Sequence, residues 1–466
     1  MDMTTSDIST PTPESSQTPV APGPGSERTS PRSEIVGPPA KQVAAAAPDP
    51  TPAHSHAGGF DSIRFAITAL CIGFICLGAL WRLVDLDYPH TFSFDEHHFV
   101  RNARNYMLGQ ADWNDHPPLG KLVLVPAMKV FGDRGVGWRL SSALFGLAMV
   151  FLVGLIAAKI FRDRTVGLMA AAFVAVDGFF ISYARTALID NPLTAFIYAA
   201  LALMLYARSL GWFAWAAVCV GLAVSSKWTG VCVLLLAPVV LRQKGHSILH
   251  VAWMFTVAAL VYVGIGAAAL KITHQPMSMA GMMRTNWDLL QHHAGFTVWD
   301  NAASSRWYTW PLLTHPLVMH FERVGPSAVR AMSTIGNLLL WFGTTASIFL
   351  ALAGLLRALW RRLRKRVPIA PAHGREALAV FGMVALMLPF ILTHRQSYIF
   401  HYLGAYGLGL GLLASRLVRL EKRSSLVVLG FLVCTAVVSL IYVPLWTGSI
   451  LSAHGFDLRL PFPGWR

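Results

Sequence analysis

Phe65-Ala-Ile-Thr-Ala-Leu-Cys-Ile-Gly-Phe-Ile-Cys-Leu-Gly-Ala-Leu-Trp81 carries no charge and sits between Arg64 and Arg82. A helix needs about 20 mostly apolar residues to cross the hydrocarbon core, so this stretch with its flanks reads as a membrane span. Working outward, similar runs recur near Val136–Ile160, Val166–Tyr183, Pro192–Tyr206, Trp212–Val224, Val231–Leu241, His250–Leu270, Thr334–Leu356, Ala377–Leu392, His401–Leu413 and Leu426–Tyr442. The expected fold class is all-α integral membrane, with about 11 transmembrane helices. Composition points the same way. Of 466 residues 55% are hydrophobic and 13% charged, with a mean hydropathy of +0.51, too apolar for an ordinary soluble globular chain.

The formal charge is +15. Its basic residues sit in short clusters between apolar runs, which argues for a cytosolic rim and against nucleic acid as a partner. With the N-terminus inside, Arg162 and Arg164, Arg208, Arg242 and Lys244, the Arg357–Arg366 cluster and the Arg416–Arg423 cluster all fall on one side. Two long loops, roughly Arg82–Gly135 and Lys271–Arg330, then lie outside. Residues 1–60 are rich in Pro, Ser, Thr and Ala with few large apolar side chains and read as a disordered cytosolic tail, not as a cleaved signal peptide. Residues 61–466 form the multi-pass domain. The cysteines Cys71, Cys76, Cys219, Cys232 and Cys434 lie inside apolar runs and read as packing residues.

The polar constellations gather in the outer loops and at helix ends beside them. Thr91-Phe-Ser-Phe-Asp95-Glu96-His97-His98-Phe99 precedes a helical pattern through Val100, Ala103 and Met107. Ser93 and Glu96 fit a capping box, and Asp95 suits the positive end of a helix dipole. Alternatively Asp95 is a general base held at the membrane surface. Asn114-Asp115-His116-Pro117-Pro118-Leu119-Gly120-Lys121 is a rigid turn that aims His116 and Lys121, unless Lys121 only snorkels to headgroups. Arg139 opens the second span, and Arg185 and Asp190 flank Thr-Ala-Leu-Ile. Five residues apart on a helix, Arg185 and Asp190 would diverge by about 140°, so each needs a partner elsewhere. Asp177 suits a buried inter-helix hydrogen bond. Ser226-Lys227-Trp228-Thr229-Gly230 marks an outer helix junction, and Ser304–Pro311 is an aromatic stretch suited to interfacial anchoring or sugar stacking. Arg395 and His401 sit at the outer end of another span, while Gly407, Gly409 and Gly411 read as close helix packing.

In this order the motifs resemble the protein O-mannosyltransferase family of polyprenyl-phosphate-dependent enzymes, which are multi-pass and GT-C-like. The resemblance rests on Asp95-Glu96, His116-Pro-Pro-Leu-Gly-Lys121, Arg139, Arg185-Thr-Ala-Leu-Ile-Asp190, Ser226-Lys-Trp-Thr-Gly230, Trp310-Pro311 and His401-Tyr402-Leu403. It covers the chain from about Phe65 onward. It implies that the first outer loop holds the catalytic centre, that Asp95 is the base, and that the donor is a polyprenyl-phosphate sugar, usually mannose. Eukaryotic members carry a β-trefoil insert in the second long outer loop, which here is too short to hold one. That points to a bacterial plasma membrane with the active site on the extracytosolic face.

The mechanism expected is an inverting displacement with Asp95, oriented by Glu96, deprotonating the acceptor hydroxyl. Arg139, Arg185, Lys121, His116 and Arg395 are the expected phosphate donors, with Asp190, His401 and Lys227 completing the substrate site. No cofactor motif is present. A divalent cation is compatible with this chemistry, although no tight group of carboxylates or histidines demands one. The expected partners are the lipid-linked donor, membrane lipid, and a protein or peptide acceptor. A lipid, glycan or peptide natural product is the alternative acceptor. A transporter would show repeated halves and midplane charges, and neither pattern is evident.

Overall fold

A computed structural model describes residues 56–111, 115–295, 303–393 and 396–465. Residues 1–55, most of the expected tail, and Arg395 lie outside them. The chain enters as α1 (His56–Leu83). The first long loop holds three short helices, α2 (Glu96–Met107), α3 (Leu119–Leu122) and α4 (Val125–Phe131). Apolar helices follow as α5 (Gly135–Phe161), α6 (Arg164–Val176), α7 (Gly178–Ala184), α8 (Asp190–Tyr206) and α9 (Leu210–Ser226). A 3-10 segment, Trp228–Leu236, then runs into α10 (Ala237–Gln243), and α11 is His250–Ile272. The second long loop contains α12 (Met279–Ala294), a 3-10 turn at Trp307–Leu312 and the hairpin β1 (Val318–Arg323) and β2 (Ala328–Ser333). The chain closes with α13 (Leu338–Lys365), α14 (Pro371–Leu392), α15 (Leu403–Glu421), α16 (Ser425–Thr447), β3 (Ile450–Ser452) and α17 (Ala453–Arg459).

Each apolar run of the sequence therefore lies on helix. Among the described residues seven helices are long and apolar enough to cross a membrane, or eight if α6 and α7 form one span bent by 60°. The remaining apolar runs lie on α8, α9 and the Trp228–Gln243 segment, which are shorter. The break between α6 and α7 has a specific cause. Asp177 ends one helix and caps the next, its carboxylate accepting from the Phe179 amide at 3.0 Å. The same carboxylate accepts from the Asn337 amide and the Tyr406 hydroxyl, each at 3.0 Å, which ties the bend to α13 and α15.

The α6–α7 pair is buried along almost its whole length and forms the centre of the bundle. Alanines along α6 and glycines along α15 let neighbouring backbones approach closely. A Cβ at Gly407 would collide with the Tyr198 hydroxyl, and one at Gly409 would lie 2.6 Å from Thr344. At one end of the bundle Arg64 meets Glu421 at 3.5 Å, Arg419 meets Glu376 at 2.7 Å, Lys244 donates to the Ala207 carbonyl at 2.8 Å, and Arg375 donates to the Phe161 carbonyl at 3.1 Å. This joins the start of α1 to the basic ends of α5, α8, α10, α14 and α15. The start of α5 lies about 40 Å away at 1.5 Å per residue, so the two long loops form the other end.

That other end also holds structure the all-helical expectation does not include. β1, β2 and β3 make a small antiparallel sheet in the order β1-β2-β3. Gly325, at φ 120°, turns the β1–β2 hairpin, and β3 arrives from the C-terminal end of the chain.

Candidate active site

Two adjacent carboxylates at the start of α2 meet opposite environments. Glu96 is fully buried. Arg139 grips it with two bonds of 2.7 Å, one from Nε and one from a terminal nitrogen. The amides of Ser93 and Ala187 donate to it as well, each at 2.8 Å. The capping box is half formed, since the Glu96 side chain reaches back to the Ser93 amide while the Ser93 hydroxyl makes no return bond. Glu96 is thereby saturated and serves to hold the loop.

Asp95 is the N-cap residue but its side chain makes no capping bond. Among the described residues no ion pair or side-chain hydrogen bond engages its carboxylate. Burial, more than any neighbouring charge, pushes its pKa up to about 6. His97 and Lys227 oppose that rise, whereas Asp190 and Asp115 add to it. A carboxylate of this kind is ionised at neutral pH yet basic enough to accept a proton. Phe94, immediately before it, adopts the left-handed region at φ 45°, which costs on the order of 1–3 kcal/mol for a non-glycine residue. The Phe94 amide donates to the Met319 carbonyl of β1 at 2.9 Å, which helps to hold that conformation.

Around Asp95 the structure places two buried ion pairs. Lys227, which caps the C-terminus of α9, reaches Asp190 at 3.0 Å and lies 5.0 Å over the Phe400 ring. Lys121 reaches Asp115 at 3.1 Å and the His116 carbonyl at 2.8 Å. His401 stacks on Phe390 with 4.0 Å between ring centroids. It lines a small cavity of about 30 Å³ together with Asp190, Thr194 and Phe400. His116 faces His293 at 5.0 Å and borders a cavity of about 240 Å³ with Tyr106, Asn286 and Asp288. Beside it opens an almost wholly apolar groove of about 490 Å³, walled by Trp228, Val263, Met279, Met283, Trp287 and Leu290. Tyr262 borders both spaces, receiving a bond from the Trp228 indole at 3.0 Å and donating to Asn286.

Two expected phosphate donors are used otherwise. Arg139 is fully buried, and beyond Glu96 it donates to the carbonyls of Leu86, Asp87, Pro89 and Thr91. It organises the strand of loop that leads to Asp95. Arg185 is also fully buried and donates to the carbonyls of Trp81, Val84, Asp85 and Thr447. Those groups lie at or just past the C-terminal ends of α1 and α16, where helices leave carbonyls without intrahelical partners. Both guanidiniums, expected as phosphate ligands, are thus bonded to the chain's own carbonyls and, for Arg139, to Glu96. Arg185 and Asp190 are not on one helix, since a turn separates α7 from α8.

Residues that the sequence did not single out do similar work. Arg82 donates to the carbonyls of Gly78, Ala175 and Val174, joining α1 to the end of α6. Arg330 stacks on Tyr88 and bonds the Gly448 carbonyl at 2.7 Å. The only signal for Arg82 was an arginine directly after an apolar run. In the aromatic stretch Trp310 is a buried core residue bonded to the Ser305 hydroxyl at 3.1 Å. Among the described residues no group of three or more His, Cys, Asp or Glu is arranged to hold a metal ion.

Comparison with known proteins fits this architecture. Residues 125–270 match the family described as dolichyl-phosphate-mannose-protein mannosyltransferase. Residues 278–465 match the C-terminal four TMM region of protein-O-mannosyltransferase. A polyprenol-phosphate-mannose--protein mannosyltransferase of Mycobacterium tuberculosis is 24% identical over 88% of this chain and 93% of its own length. That of Mycolicibacterium smegmatis is 26% identical over 86% and 93%. The S. cerevisiae protein O-mannosyltransferase Pmt1-Pmt2 complex, solved bound to the sugar donor, superposes with a TM-score of 0.74 at 15% identity. That match covers 88% of this chain and 94% of the yeast one, so the similarity is one of fold. With two family regions matching in tandem and the mycobacterial relatives matching almost from end to end, the chain belongs to the protein O-mannosyltransferase family.

Proposed function

We propose that this protein transfers a mannosyl residue from a polyprenyl-phosphate carrier to a Ser or Thr hydroxyl of a secreted protein, with inversion at the anomeric carbon. Asp95 takes the hydroxyl proton as the oxygen attacks C1, the bond from C1 to the phosphate oxygen breaks, and polyprenyl phosphate leaves. Phosphate is already a good leaving group, so no acid is needed opposite the base. The observation that carries this reading is the contrast at the start of α2. Glu96 is locked by Arg139 and two amides, while Asp95 is unpaired with its pKa raised to about 6.

Lys227 is the cation best placed for the phosphate, since it borders Asp95 and can exchange Asp190 for a phosphate oxygen. Arg395, outside the described residues, remains assigned to the same task on its sequence position. His401 and Asp190 line the small cavity beside Lys227, and His116 and Lys121 border the other side. The open apolar groove fits the prenyl tail, because it starts at Trp228, next to Lys227, and its walls are methionine, leucine, valine and tryptophan. The basic end of the bundle, which includes the start of α1, supports a cytosolic N-terminus and an extracytosolic active site.

The test uses purified protein in lipid with labelled polyprenyl-phosphate mannose and a Ser/Thr peptide. Label is expected in the peptide with wild type and not with Asp95→Asn. Undiminished transfer by Asp95→Asn would remove Asp95 as the base. Label entering lipid instead of peptide would change the acceptor class.

A further inference from the structure

We propose that the acceptor polypeptide docks as an added β-strand on the open edge of β1, through its backbone, next to Asp95. The inference rests on the protein-acceptor reading above and names how such an acceptor is held. Sheet order β1-β2-β3 leaves β1 with one unpaired edge. Its orientation follows from the register. Val324 donates to the Ala328 carbonyl at 2.9 Å, and the pairs His320–Met332 and Glu322–Arg330 share that register. By antiparallel alternation Phe321 and Arg323 form non-hydrogen-bonded pairs with β2, so their amides and carbonyls point to the open side. Among the described residues, no hydrogen bond joins those outward groups to the rest of the chain.

The same edge already makes one backbone hydrogen bond to a neighbouring segment. At Met319, where the register shifts between Val318 and His320, the carbonyl turns outward and accepts from the Phe94 amide at 2.9 Å. Phe94 then leaves the edge through its left-handed turn and Asp95 opens α2. A polypeptide laid along Phe321 and Arg323 therefore abuts Phe94. Positions two apart on a strand are separated by about 6.8 Å, so the acceptor residue entering past Phe321 arrives beside Asp95.

Edge addition supplies affinity from main-chain bonds and places few demands on side chains. The side chains there are undemanding: Phe321, Glu322 and Arg323 are all exposed, with Phe321, which meets Phe456, and Arg323 on one face and Glu322, which accepts from the Tyr88 hydroxyl, on the other. Such an edge accepts extended chains of varied sequence and rejects folded ones. It also has nothing to offer a glycolipid, which lacks a peptide backbone.

The closing experiment measures transfer by the wild-type protein to single-threonine peptides N-methylated at two alternate residues. Methylation removes donors only where the strand faces the edge. At one parity the KM for peptide is expected to rise about tenfold, the loss of two modest hydrogen bonds, and at the other to stay within about twofold. Phe321→Pro deletes an outward amide without touching the β1–β2 ladder, and is expected to raise the same KM while leaving kcat at saturating peptide close to wild type. Equal sensitivity at both parities, or none at either, overturns strand addition while the proposed activity stands. No transfer to any peptide overturns the protein-acceptor reading, and this proposal with it.

Discussion

The charges of this protein fall into two sets that look alike in sequence and behave differently in the fold. Arg82, Arg139, Arg185, Glu96 and Asp177 are buried away from the cavities, and each carboxylate and guanidinium group is held by backbone groups, by one another or by side chains of neighbouring helices. Asp190, His116 and His401 line the cavities, Lys227 pairs with Asp190 and Lys121 with Asp115 beside them, and among the described residues no side-chain hydrogen bond or ion pair engages the Asp95 carboxylate. The first set builds the frame, and the second is where the proposed function places the substrate. What separates them is where their bonds go: the first set is tied mainly to backbone groups of the fold, the second mainly to oppositely charged side chains.

Breaking the frame gives the largest expected effect on folding. Removing one member of a buried ion pair costs about 3–5 kcal/mol, so Arg139→Ala or Glu96→Ala is expected to lower the melting temperature and the yield of folded protein sharply. The opposite outcome, a well-folded Arg139→Ala defective only in transfer, would move Arg139 into the substrate site. Next comes Lys227→Ala. As a charge donor to the leaving phosphate it is worth about 2.7–4 kcal/mol in the barrier, or 10²–10³ in kcat. Melting, followed in parallel, is expected to change much less than for Arg139→Ala.

A smaller effect sharpens the Asp95 side of the comparison. The base must be ionised, so kcat/KM is expected to fall about tenfold per pH unit below about 6 and to level off above pH 7. The negative charge of Asp190 raises the Asp95 pKa and the positive charge of Lys227 lowers it. Asp190→Asn removes the first and frees the second, so the acid limb should move to lower pH. A limb that stays in place would show that these charges do not set the basicity of Asp95. The smallest expected effect belongs to Tyr262→Phe, which removes the hydroxyl that donates to Asn286 of α12 and accepts from the Trp228 indole, and leaves the core untouched. About 1 kcal/mol, read as a few-fold change in KM for the donor, is the expected size.

The helical fold was legible because apolar run length is a direct physical requirement of the bilayer, and each run lies on helix. Asp177 was legible too, since a carboxylate in an apolar run needs hydrogen bonds and found them at a helix break. The carbonyl contacts of Arg139 and Arg185 were not. Sequence places an arginine at a helix end but does not show that the chain folds four carbonyls around it. The sheet escaped for another reason. Val318–Arg323 and Ala328–Ser333 are short, only partly alternating, and joined by a turn that holds Gly325-Pro326 inside a long irregular loop. Its third strand comes from the far C-terminus, which no local pattern reveals.

The central claim is that the two neighbouring carboxylates divide into base and support, and Asp95→Asn tests it most directly. The raised pKa means that Asp95 stabilises the fold most when protonated, and that this contribution is lost as pH rises through about 6. At pH 7.5 Asp95→Asn is therefore expected to melt no lower than wild type, with any gain fading below about pH 4, while transfer to peptide falls by about 10²–10⁴. Wild-type transfer rates in Asp95→Asn, or a loss of folding equal to that of Glu96→Ala, would contradict the account.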